Sequence, residues 1–161
     1  MNKFKTAIYV SLFVVVLDQL TKWIIRSNIH LHENISVLPF FDITHLRNTG
    51  AAFGILRSLP ESMRMPLFAI VLIVAIVVIS LFLKKIADNN RVLIVSLSLI
   101  LGGAVGNSID RFRLGYVTDF LSFHWFATPN YQWPPFNVAD SAITIGVILI
   151  IFDAFFLKRG N

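Results

Sequence analysis

The chain has 161 residues, of which 56% are hydrophobic, and its formal net charge is +5. Mean hydropathy is +0.73, and a soluble domain this short cannot hide so much apolar surface, so lipid is the predicted solvent for much of it. No cysteine is present, which excludes disulfides, thiolate nucleophiles and cysteine metal sites. The basic residues mark the ends of apolar runs instead of forming one basic face, so no nucleic-acid partner is expected.

A spanning helix needs about 20 mostly apolar residues. Four stretches qualify, at about 4–25, 66–83, 92–109 and 139–157. Together they predict an all-α membrane protein, one integral membrane domain over residues 1–161. Lys3 and Lys5 ahead of the first stretch resemble a signal peptide. The run is too long for a signal-peptide core, Asp18 interrupts it and no small-x-small cleavage site follows, so it reads as a retained helix. Pro66 is expected in the first turn of the second helix, where no backbone donor is lost. Four spans put both termini on one side. Lys3, Lys5, Lys84, Lys85, Arg91, Lys158 and Arg159 crowd into short segments there, whereas the other basic residues are spread over long loops. That density predicts cytoplasmic termini.

The segments at about 26–65 and 110–138 then face outward. In the first, Leu38 to Leu46 is rich in β-formers, Asn48-Thr-Gly50 is a turn signal, and Ala51-Ala-Phe-Gly-Ile55 follows. A small extracytoplasmic β-structure is expected there, with an irregular loop as the alternative. In the second, Trp125, Tyr131 and Trp133 suit a membrane interface, and Pro129, Pro134 and Pro135 oppose a helix.

Acids inside a bilayer are costly and are functional candidates by default. Glu33, Asp42, Glu61 and Asp88 fall in predicted loops, and Asp153 near Lys158 reads as an interfacial charge. Asp18, Asp110, Asp119 and Asp140 differ. At 1.5 Å per residue Asp18 stands roughly 20 Å above the cytoplasmic end of its span. Asp110 ends the third span, Asp119 follows nine residues later, and Asp140 opens the fourth. Topology alone brings these four to one level, just below the outer surface. Each also has a structural reading: Asp18 paired with Lys22 one turn on, Asp110 with Arg111, Asp119 in a loop, Asp140 at a favourable helix start.

Two carboxyls that share a proton can hydrolyse a peptide, one activating water and the other protonating the leaving amine. Asp140, at a helix N-terminus, is expected to carry the charge and Asp119 the proton. Competing chemistries fit less well. His30, His32, His45 and His124 form no His-x-x-x-His pair, so no metal is expected. Ser108 and Ser141 lack a Gly-x-Ser-x-Gly setting, and Lys22 is the one lysine near enough for a Ser–Lys pair. Gly102, Gly103 and Gly106 read as a close-packing face.

Five blocks in order carry a resemblance: Asp18-Gln-Leu-Thr-Lys22, Arg47-Asn-Thr-Gly-Ala-Ala-Phe-Gly54, Gly106-Asn-Ser-Ile-Asp-Arg111, Val117-Thr-Asp-Phe120 and Phe136-Asn-Val-Ala-Asp-Ser141. With these the chain resembles the bacterial lipoprotein signal peptidases, or signal peptidase II. The resemblance implies an aspartic endopeptidase of the bacterial cytoplasmic (inner) membrane that cuts prolipoproteins just before a diacylglyceryl cysteine. It implies no metal or cofactor, contact with membrane lipids, and inhibition by globomycin. By the same resemblance Asp119 and Asp140 are catalytic. Asn48, Gly50 and Arg111 hold substrate or backbone, Asn107, Asp110, Asn137 and Ala139 support the site, and Asp18 and Lys22 are structural or near it. Thr118 stands where many members carry an apolar residue, and the loop from Ser122 to Pro135 matches nothing with a known role. Residues 48–55 are expected to contact substrate.

Two other readings use the same acids or none of them. A proton-coupled membrane carrier would use them as a relay, but carriers have more spans and internal repeats. A non-enzymatic scaffold would leave the clustered acids unexplained.

Overall fold

In lipid the backbone must satisfy its own hydrogen bonds, so the apolar stretches fold as helices. The computed structural model describes residues 2–50, 59–124 and 133–156. It contains α1 (Lys3–Asn28), β1 (Asn34–Leu38), β2 (Phe41–Asn48), α2 (Glu61–Lys85), α3 (Arg91–Leu114), β3 (Val117–Phe123) and α4 (Val138–Phe156). All four helices are long and apolar enough to cross a membrane. Their outward faces carry large exposed side chains such as Phe13, Ile73, Ile148 and Phe155. Asp18, Lys22, Asp110 and Asn137 are buried instead, the arrangement expected when lipid surrounds the molecule.

Two helices run past the apolar windows that announce them. α2 begins at Glu61 and not at Pro66, because Glu61, Ser62, Met63 and Arg64 add a polar first turn behind Pro60. Pro66 therefore lies inside the helix, where its missing N–H leaves the Ser62 carbonyl without its usual partner. α3 continues to Leu114 and stops where Gly115 takes a left-handed φ of 78°, a conformation that favours glycine. Asp110 and Arg111 are thus within the last turns of α3, not at its end.

The small β-structure exists and has three antiparallel strands in the order β1-β2-β3. The third comes from the segment after α3, which the sequence left without a strand. Its register sets Leu46 opposite Asp119 and Asn48 opposite Val117, with an irregularity between Ile43 and Leu46. Phe136 returns to bridge Leu121 just before α4 starts. α3 is the central helix, and α1, α2 and α4 all pack on it. Glycines make the closest approaches. A Cβ at Gly103 would collide with the Ala139 carbonyl, and one at Gly106 would come within 2.7 Å of Asp18 Oδ2.

Candidate active site

Asp140 is the third residue of α4, and the preceding Asn137 caps that helix. The Asp140 backbone N–H donates to Asn137 Oδ1 at 3.0 Å, and the Asn137 backbone N–H donates to Asp140 Oδ2 at 3.3 Å. This reciprocal pair is a capping box made of asparagine and aspartate. It fixes the Asp140 carboxylate against the positive end of the helix. The amide of Asn107, from α3, adds a donor to Asp140 Oδ1 at 2.8 Å.

Asp119 projects from β3 and is only 3% exposed. Its two oxygens each accept from an asparagine: Oδ1 from Asn137 Nδ2 at 2.7 Å and Oδ2 from Asn48 Nδ2 at 2.9 Å. Asn137 therefore touches both acids, one through its side chain and the other through its backbone. Burial, followed by the charge of Asp140, pushes Asp119 up from 3.8 to about 6, against the lowering effect of Asn48, Asn137 and Lys22.

Beneath the pair lies a buried ionic layer. Lys22 Nζ is 2.9 Å from Asp18 Oδ2 and 3.5 Å from Asp110 Oδ2, and it donates to Asn107 Oδ1 at 2.9 Å. The other Asp18 oxygen accepts the Ala139 N–H at 3.0 Å, which ties α1 to the first turn of α4. Asp110 accepts the Thr118 N–H at 3.0 Å and so anchors β3 next to Asp119. On the other side, Gly50 N–H donates to Asn48 Oδ1 at 3.0 Å. Arg111 Nη2 donates to Gly50 O at 3.0 Å while its guanidinium lies 4.2 Å from the Phe68 ring.

The arrangement can hold a proton on one buried carboxyl and a negative charge on its neighbour, the requirement for acid–base hydrolysis. Among the described residues no cluster of three metal-ligating side chains occurs. A family model described as Signal peptidase (SPase) II matches residues 10–156. The chain belongs to the signal peptidase II family. It is 44% identical over 150 residues to the lipoprotein signal peptidase of Syntrophotalea carbinolica, covering 92% of this chain and 90% of that one. Identity to the lipoprotein signal peptidase of Geobacter metallireducens is 46% over 140 residues, or 86% and 83% of the two chains. A solved bacterial membrane enzyme, obtained by the in meso method at 2.3 Å resolution, matches with TM-score 0.82 and 38% identity over 100% of this chain and 98% of that one. Another, at 1.9 Å, gives 0.80 and 40% over 94% of each. Signal peptidase II membership makes this a membrane peptidase and not a carrier or a scaffold.

Every residue singled out in the signal peptidase II blocks falls in this one cluster: Asp18, Lys22, Asn48, Gly50, Asn107, Asp110, Arg111, Asn137 and Ala139 around Asp119 and Asp140. One pairing and two placements differ from expectation. Asp110 pairs with Lys22 and Arg26, not with Arg111, because consecutive helix residues point in different directions. Glu61 lies in the first turn of α2, not in a loop. Asp42 lies in β2 and not in a loop, 3.4 Å from His124. Residues 51–58 and 125–132 and Lys158 lie outside the described residues, so the contacts expected of 51–55, Trp125 and Tyr131 fall there too.

Three contributors were not anticipated. Gln19 Nε2 donates to Asp18, Asp110 and the Gly106 carbonyl. Arg26 reaches Asp110 at 3.5 Å and Thr118 Oγ1 at 3.1 Å. Arg64 donates to Thr49 O at 2.8 Å, fastening α2 to the Asn48 turn. Arg26 was legible, since Asp18, Lys22 and Arg26 are spaced by four and line one face of α1.

Proposed function

We propose that this peptidase is an aspartic endopeptidase that removes signal peptides from prolipoproteins, cutting before the diacylglyceryl cysteine. The observation that carries the reading is the Asn137 bridge between the buried Asp119 and Asp140 at the start of α4. A water between the two carboxyls loses a proton to Asp140 as its oxygen attacks the carbonyl preceding the cysteine. Asp119 gives its proton to the carbonyl oxygen as charge develops there. Collapse of the tetrahedral diol returns one hydroxyl proton to Asp119 as the C=O re-forms and the C–N bond breaks, and the proton gained by Asp140 leaves with the cysteine amine. The product carboxylic acid and amine balance the water consumed, and the pair, which acts as a unit, again holds the one proton it started with.

Arg111 and the Gly50 turn stand beside the pair as substrate-holding groups. The buried Arg111 Nε–H has no partner among the described residues and can take a substrate carbonyl. Placement follows from the substrate. Each lipid methylene is worth about 0.8 kcal/mol in the bilayer, so the enzyme must bring water to the lipid. The same reading sets both termini in the cytoplasm, the acids near the outer face of the inner membrane, and globomycin as a ligand of this site. Purified Asp119→Asn and Asp140→Asn, each inserted and folded, should lose at least about 100-fold in kcat on a diacylglyceryl peptide. Near-normal cleavage by either would sink the two-acid mechanism.

A further inference from the structure

We infer that Lys22 is a positioning residue for the reaction: its ammonium is the stronger of two donors, beside the Asn137 amide, that fix which end of the Asn107 amide faces Asp140. The inference rests on the two-acid reading above. A side-chain amide has a donating end and an accepting end, and the neighbours decide which points where. Three asparagines surround the acids, and each has its carbonyl occupied by a group that can only donate. Asn48 Oδ1 takes the Gly50 N–H, Asn137 Oδ1 takes the Asp140 N–H, and Asn107 Oδ1 takes Lys22 Nζ at 2.9 Å and Asn137 Nδ2 at 3.1 Å. Each amino group is thereby aimed at a carboxylate: Asn48 and Asn137 at Asp119, Asn107 at Asp140.

Two of these locks are backbone N–H groups, which any sequence supplies. The third carbonyl is held by side chains, the Asn137 amide and the ammonium of Lys22, which is completely buried and 2.9 Å from a carboxylate one turn away. The Asp18 pairing alone gives Lys22 a structural purpose. The bond to Asn107 is additional and leads to Asp140. Without it the Asn107 carbonyl keeps only Asn137 Nδ2, a donor shared with Asp119, and the amide can more readily turn over and present Oδ1 to Asp140, two acceptors face to face, which disfavours the charged carboxylate that takes the proton from water. The charged groups of this cluster are Asp18 and Arg26 from α1, Asp110 and Arg111 from α3, Asp119 from β3 and Asp140 from α4.

Removing Lys22 alone strands a buried Asp18 charge, so the test uses Asp18→Asn as its reference. Asp18→Asn/Lys22→Gln keeps an N–H donor without the charge, and Asp18→Asn/Lys22→Met keeps neither. The readouts are kcat, KM and the pH profile on a diacylglyceryl peptide, with folding followed by thermal melting in detergent. The glutamine variant should stay within about threefold of the reference in kcat with its pH profile moved to higher pH. The methionine variant should fall at least tenfold further in kcat with KM within threefold. Equal kcat for the two variants overturns the orientation argument. Failure of the methionine variant to fold where the reference folds makes Lys22 a folding residue and also overturns it. Activity retained by Asp119→Asn or Asp140→Asn would instead remove the two-acid mechanism, so the two failures are distinguishable.

Discussion

At pH 7 an aspartic acid with the ordinary value of 3.8 is protonated in roughly one molecule in a thousand. Near 6, where burial and the Asp140 charge hold Asp119, the fraction is about one in ten. That difference is what lets a carboxyl serve as a proton donor in neutral surroundings. The sign of the pH dependence follows. The donor is competent while protonated, so kcat/KM on a diacylglyceryl peptide should fall as pH rises through about 6. A profile flat from pH 5 to 8 would mean that Asp119 carries no essential proton. Asn137 is fully buried and serves both carboxylates, a role that its position three residues before Asp140 hinted at through cap spacing. Nothing in the sequence said that its amide would reach a strand.

Among the elements, α3 decides where the acids meet. Its glycines let α1 and α4 come close enough for side chains on three helices and a strand to share one cluster. A methyl group at Gly103 has nowhere to go, since it meets the Ala139 carbonyl backbone and the Ile143 side chain at 2.7 Å. Gly103→Ala should cost about 1–3 kcal/mol and lower the activity of the folded fraction at least tenfold, because Ala139 precedes Asp140. Gly146→Ala meets Ser96 O at 2.7 Å on the same helix pair but further from the acids. It should lower the melting temperature comparably and spare more activity. Equal activity losses per folded molecule would show that the α3–α4 spacing does not set the site. The helices were readable because length and apolar content suffice for a span. Their ends were not, since polar turns such as Glu61 to Arg64 and the last residues of α3 are helical by local propensity and capping, outside any apolar window.

At the scale of the whole molecule the outside is apolar and the inside holds the charges, so orientation is a question for lysines and arginines at the helix ends. The chain has no cysteine, which makes single-cysteine labelling clean. Ser36→Cys, on the exposed β1 strand, should react with an impermeant maleimide in intact spheroplasts, and Asn89→Cys, in the exposed α2–α3 turn, only after permeabilisation. The opposite pattern would put the acids at the inner face. Composition, span count and the order of five short blocks were enough for the membrane class, the four helices and the family, because lipid imposes a length rule and motifs are local. Other features came only from tertiary structure: β3, the pairing of Asp110 with Lys22 and Arg26, the Asn137 bridge and the direction of each amide. They depend on contacts between residues up to 121 positions apart, as between Asp18 and Ala139, and on burial that no single stretch of sequence encodes.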